Sequence, residues 1–160
     1  MSVKKFGWYY VVIPLATFFV AALGSLITSD GMPWYATLTL PSWTPPGQAI
    51  GVAWTAIYIL TALSAILVWQ HFPRDRTLAL ITGAYVVNAL LNILWSAVFF
   101  GQHNLARAVD VAMLLSLSVL VLIILISKHS RFAATLLAPY FLWASFASYL
   151  SYAVWRLNGG

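Results

Sequence analysis

One hundred and sixty residues, 62% hydrophobic and 16% aromatic, carry only 7% charged side chains, with a net charge of +5. A soluble domain averages about a quarter charged residues, so a soluble catalytic domain and a disordered chain are both excluded. The absence of cysteine excludes a disulfide scaffold, a thiol nucleophile and a thiolate metal site, and the basic residues stand singly or in pairs at the ends of apolar runs, which is not the clustering of a nucleic-acid patch.

Charge-free stretches cover 6–29, 31–73, 77–106, 111–127 and 132–155. They accommodate five helices of the roughly 20 apolar residues that a hydrocarbon core requires. The expected fold is all-α: an integral membrane bundle of five transmembrane helices, read as one membrane domain over 1–160, with one long capping loop between helices 1 and 2. The first helix is expected at 8–28. Lys4 and Lys5 before it, with Ala22-Leu23-Gly24 beyond, also fit the layout of a signal peptide, but the apolar run is longer than an ordinary signal core.

The stretch 29–46 holds Pro33, Trp34, Tyr35, Pro41, Trp43, Pro45 and Pro46. It is too aromatic for a plain linker and too proline-rich for a sixth span. Adjacent prolines are tolerated only at a helix start, so Thr44 is expected as the N-cap and Pro45 as the first helical residue. Two readings of Pro41–Gly47 stay open: an interface anchor at a helix start, or a loop folded over a cavity.

The second helix is expected at 47–70, with Trp54 and Tyr58 one turn apart, and Gly47 and Gly51 spaced for a close helix approach. The third, at 78–101, carries Asn88, Asn92, Trp95 and Phe99 on one stripe. Amides facing lipid are costly, so the stripe should face the bundle, either bonding to neighbouring helices or lining a pocket. The fourth, at 106–127, contains Asp110 three residues after Arg107. The fifth, at 132–155, places Tyr140, Trp143, Ala147 and Leu150 on one face, with Pro139 expected to kink it. The connections 71–77, 102–105 and 128–131 are short, which makes consecutive helices antiparallel neighbours.

Lys4, Lys5, Arg74, Arg76, Lys128 and Arg131 fall on one side of this arrangement, and Arg107 and Arg156 on the other. The positive-inside rule then puts the N-terminus in the cytoplasm. His71, His103 and His129 all lie in connections, so no metal site is expected within the bundle, and no ionisable group stands mid-span as an ion pathway would need. Three helices that each present an aromatic face with a few polar groups predict a concave apolar site for a small molecule. Leu150–Arg156 also fits the weak pattern proposed for cholesterol contact, and equally an interface end anchored by Trp155 and Arg156.

Taken in order, these segments resemble the translocator protein family, also called the tryptophan-rich sensory protein or peripheral benzodiazepine receptor (TspO/MBR) family. The resemblance rests on Trp34-Tyr35 with Leu38, Pro41-Ser-Trp43-Thr-Pro45-Pro46, Trp54 and Tyr58, and Asn92-Ile-Leu-Trp95. It continues through Phe99-Phe100-Gly101, Asp110, Pro139-Tyr140, Trp143, Phe146-Ala147 and Tyr152-Ala-Val-Trp155-Arg156-x-Asn158, running from about residue 24 to 158. It implies a five-helix bundle, commonly a homodimer, with a pocket beneath the first loop that takes porphyrins such as protoporphyrin IX, sterols and benzodiazepine-type ligands. Some bacterial members are credited with light-dependent porphyrin degradation, for which Trp54 and Trp143 would be the oxidisable groups here; transport of porphyrin or sterol is the alternative. The ligand-binding set that follows is Trp34, Trp43, Trp54, Tyr58, Asn88, Asn92, Trp95, Phe99, Tyr140, Trp143, Phe146, Ala147 and Leu150, with no cofactor. Leu40 stands where many relatives carry Lys, Asn88 where many carry Gln, and Ser151 where many carry Asn, so ligand preference does not transfer intact.

Overall fold

In the computed structural model each long uncharged run is a helix. Residues 7–160 are described; Lys4 and Lys5, counted above among the topology determinants, lie outside the described residues. The helices are α1 (Tyr9–Tyr35), α2 (Gly47–His71), α3 (Arg76–Ser96), α4 (Leu105–Ser127), a short α5 (Arg131–Thr135) and α6 (Ala138–Leu157), with a π-helical turn, Ala97–Gly101, continuing α3. Counting α3 with its π turn and α5 with α6, five apolar segments of 23 to 27 residues are long enough to cross a membrane. At about 1.5 Å rise per residue each exceeds a hydrocarbon core of about 30 Å.

Three boundaries differ from the sequence reading. First, α1 does not stop near 28 but runs through Pro33 to Tyr35, so Trp34 and Tyr35 belong to a helix and the loop is 36–46. Tertiary contact holds these extra turns: Gly31 lies directly against the backbone of Phe100 in the π turn. Second, Thr44 does not cap α2. Its hydroxyl donates to Pro41 O at 2.7 Å, and the N-cap is Pro46, in extended conformation with φ −61° and ψ 145°. A residue preceding proline is pushed out of the helical region, so Pro45, which precedes Pro46, cannot open the helix. Third, the fifth span is not one kinked helix. It breaks at Leu136-Leu137, and Pro139 falls in the first turn of α6, where its missing N–H leaves no intrahelical bond unmade.

The contacts close the spans into a ring ordered α1, α2, α5–α6, α4, α3 and back to α1. α4 is the most enclosed of the five spans and α1 the least. Val119, Leu122 and Ile126 of α4 pack with Ile57 and Val68 of α2, Ile81 of α3 and Leu137. The outward faces keep Leu, Val, Ile and Phe exposed, as a lipid-facing surface requires.

Polar side chains stitch the ring from within. Asn88 Nδ2 donates to Ser118 Oγ (2.8 Å), joining α3 to α4, and Ser116 and Ser145 join α4 to α6 (2.9 Å). Ser64 Oγ donates to Ala133 O (2.7 Å) and is also bonded to Tyr85 OH at 2.7 Å, tying α2 to α5 and α3. The loop closes the end of the bundle formed by the C-termini of α1 and α6. Leu38 and Leu40 pack against Phe99, Val98 and Val154, and Asn158, the residue after α6, pairs with the backbone of Thr39.

Candidate functional site

The centre of the ring is a layer of rings and amides. Trp54 and Tyr58 stack with centroids 5.7 Å apart, and Trp54 meets Tyr140 edge-on at 6.0 Å. Tyr58 OH donates to Asn92 Oδ1 (2.8 Å), and Asn92 Nδ2 donates to Tyr140 OH (3.2 Å). One buried amide thus spans α2, α3 and α6. α1 meets this layer at Gly24, which is buried; a Cβ there would make ordinary contacts with Ser96 Oγ (3.5 Å) and Tyr58 OH (4.0 Å). Asn88 and Asn92 therefore bond to neighbouring helices and also line a cavity.

That cavity, of about 260 Å³, lies between α1, α2 and α3 in the half of the bundle away from the loop. Of the residues expected at the site, Tyr58, Asn88, Asn92 and Tyr140 line it. The others are placed elsewhere. On the loop side Trp95 stacks on Phe99 (5.3 Å), Phe99 meets Trp34 edge-on (5.8 Å), and Trp34 stacks on His103 (4.1 Å), a residue in left-handed conformation at φ 54°. Leu150 packs against the same cluster. Along α6, Trp143 contacts Phe146 (5.5 Å), Phe146 contacts Trp43 of the loop (5.9 Å), and Trp43 stacks on Tyr149 (5.4 Å). Trp43, Leu40, Tyr152 and Arg156 line an open groove of about 510 Å³ there. Ala147 is partly buried on α6, and Ser151 fully buried.

Two of these rings carry an unmet demand. Trp95 Nε1 and Trp143 Nε1 are buried with no hydrogen-bond partner, and the hydroxyl of Thr61 shares that condition. A buried donor without an acceptor costs about 1–3 kcal/mol. Such N–H groups donate readily to a carbonyl or carboxylate oxygen. Among the described residues no group of three His, Asp or Glu side chains converges on a metal position.

Sequence reasoning overlooked Ser64, Thr61 and Tyr85. The signal that flagged the asparagines, a polar group inside an apolar span, was present for each of them. Trp8 and Trp69, which line the cavity, were overlooked as well.

Five spans, an aromatic loop over one end and polar chemistry turned inward define a multi-pass integral membrane protein with an interior lined by rings and amides. The chain belongs to the TspO/MBR family, whose model matches residues 11–156. It is 32% identical over 149 residues to the tryptophan-rich protein TspO of Bacillus cereus, covering 92% of this chain and 95% of that one. It is 33% identical over 144 residues to the tryptophan-rich sensory protein of Cereibacter sphaeroides, covering 88% and 89%. With the translocator protein of Homo sapiens it shares 33% identity over 135 residues, covering 84% and 80%.

Proposed function

We propose that this protein is a membrane receptor, acting as a sensor, for porphyrins such as protoporphyrin IX and for other flat hydrophobic ligands. The observation that carries the reading is the pair of buried, unpartnered indole N–H groups of Trp95, stacked on Phe99 in the π turn after α3, and Trp143, in tilted contact with Phe146 on α6. Ring faces suit a planar macrocycle, and the two N–H groups suit its carboxylates or carbonyls. The cavity of about 260 Å³ is smaller than the 300–1,000 Å³ usual for drug-sized ligands. A tetrapyrrole is therefore assigned to the loop side, where the contacts of Trp43 with Phe146 and Tyr149 part to admit it. The names of two relatives, a sensory protein and a translocator protein, support a role in ligand sensing or movement.

Titration with protoporphyrin in the dark and then under light tests this. Saturable quenching of tryptophan fluorescence, weakened by Trp143→Ala or Trp54→Ala, is the expected result; unchanged quenching in both variants removes the site. Faster loss of the porphyrin band under light with protein than without assigns the degrading activity to Trp54 and Trp143, unless Trp→Phe variants degrade it equally fast. The transport reading rests on the translocator name, and flux into proteoliposomes decides it. A homodimer and a cytoplasmic N-terminus belong to the same proposal. Gly47 and Gly51 have no atom within 4 Å of an added Cβ, leaving room for a helix of a second copy; cross-linking and accessibility labelling in membranes test these two points.

A further inference from the structure

We infer that the loop-distal cavity is a separate binding site for a single acyl chain of an anionic membrane amphiphile, with its headgroup at Arg74. The inference is independent of the porphyrin reading. The cavity extends along α2 from Tyr58 to Trp69, about 16 Å of helix. A volume of about 260 Å³ drawn out over that length is a slot and not a chamber. Its walls are Ala16 and Val20 of α1, Ala65 of α2 and Val86 of α3, and its inner end is closed by the Tyr58–Asn92–Tyr140 hydrogen bonds.

The outer end carries a positive charge. Trp8 and Trp69, both lining the slot, meet edge to face at 4.9 Å. The guanidinium of Arg74 lies over the Trp69 ring at 4.7 Å and over Tyr9 at 5.7 Å. The nearest acid in sequence, Asp75, is already engaged in capping α3, its Oδ1 accepting from Thr77 N and Leu78 N. Arg76, two residues on, adds a second cation at the start of α3. Chain and lipid are equally apolar, so no hydrophobic gain drives a chain into the slot. Shape and headgroup must provide the preference, and a guanidinium held on an indole offers a carboxylate or phosphate a charge-assisted hydrogen bond.

The hydroxyl of Thr61 makes the inference directional. It is buried in this slot without a partner, whereas Thr17, Thr55 and Thr82 each donate to the carbonyl four residues earlier. A methylene chain passing Thr61 gains nothing from the hydroxyl, so Thr61→Val should keep or tighten binding. A ligand that entered polar end first would instead lose affinity in that variant.

The test uses the full chain in phosphatidylcholine nanodiscs and follows tryptophan quenching by dibromostearic acid, its methyl ester and brominated phosphatidylglycerol. Saturable quenching by the acid or by phosphatidylglycerol, but not by the ester, is expected, and which of the two saturates names the source of the headgroup. Arg74→Gln, an exposed change, should weaken it about tenfold; Ala65→Phe should abolish it, with helicity and porphyrin titration reporting that the bundle is intact. Equal, unsaturable quenching by acid and ester, an unchanged Arg74→Gln variant, or weakening in Thr61→Val overturns the site and leaves the porphyrin reading untouched.

Discussion

Asn158 and Thr39, 119 residues apart, exchange two hydrogen bonds: Thr39 N donates to Asn158 Oδ1 and Asn158 Nδ2 donates to Thr39 O, both at 2.9 Å. The same Nδ2 also donates to Val154 O at 2.7 Å, in the last turn of α6. One side chain thus serves the loop as a neighbouring strand would, and fastens it to a helix end.

Asn158→Asp should loosen the loop more than Asn158→Ala does. The carboxylate keeps the acceptor for Thr39 N, but loses both donations and faces the carbonyls of Thr39 and Val154 at the negative end of α6. Cleavage within 36–46 by a soluble protease should rise in the order wild type, Ala, Asp. Global stability should fall by only about 1–2 kcal/mol, because the two bonds to the loop are exposed. Equal cleavage of all three would show that the aromatic contacts of Trp43 alone hold the loop.

Asn92→Leu takes the partner from two hydroxyls at once, those of half-buried Tyr58 and buried Tyr140. Hydrogen bonds between membrane helices average about 0.6 kcal/mol and reach about 1.7, so a loss of about 1–3 kcal/mol is expected in reversible unfolding in mixed micelles. In a Tyr58→Phe, Tyr140→Phe background the same change should cost much less. Additive losses would mean that Asn92 acts through packing and not through its amide.

Gly31→Ala should separate α1 from the π turn. A Cβ at this position would lie 2.7 Å from both Cβ and O of Phe100, and a backbone oxygen cannot swing aside. Overpacking of this kind costs about 1–3 kcal/mol. Gly83→Ala, inside α3 and with nothing within 4 Å, should keep stability or raise it by about 0.5–1 kcal/mol and serves as the control. Thermal unfolding of the two variants in one detergent measures the contrast.

Trp95→Phe and Trp143→Phe should divide stability from binding. Each removes a buried donor that has no protein acceptor while keeping an aromatic ring, so the unliganded protein should be as stable as wild type or more so. Affinity for protoporphyrin should fall, by about 1–3 kcal/mol if the indole donates to the ligand. A stable variant with unaltered affinity would move the ligand away from that indole.

The spans were legible because charge is scarce: Asp30, Arg74–Arg76, Arg107–Asp110 and Lys128–Arg131 punctuate the apolar runs close to the helix ends. The exception is instructive. Asp30 and Pro33 read as a stop, yet α1 continues past both, because the contact of Gly31 with Phe100 comes from a segment some seventy positions away that no local pattern reports. The inward stripe of Asn88 and Asn92 was visible from the expense of amides in lipid, and both are buried. Their partners were not visible, since Tyr58, Ser118 and Tyr140 are defined by which helices adjoin. The division of the aromatic residues into separate groups was hidden for the same reason: helical spacing gives the face of each helix, but not the height at which faces meet.

The π turn at Ala97–Gly101 has a consequence of its own. Val98, Phe99 and Phe100 are all buried, although consecutive side chains on an α-helix diverge by about 100°. The wide turn gathers them inward by holding one residue of slack. Removing a single residue there would act as a screw: every side chain beyond it would survive, but the His103 turn and the start of α4 would swing through about 100°, and Trp34 would lose the imidazole on which it rests.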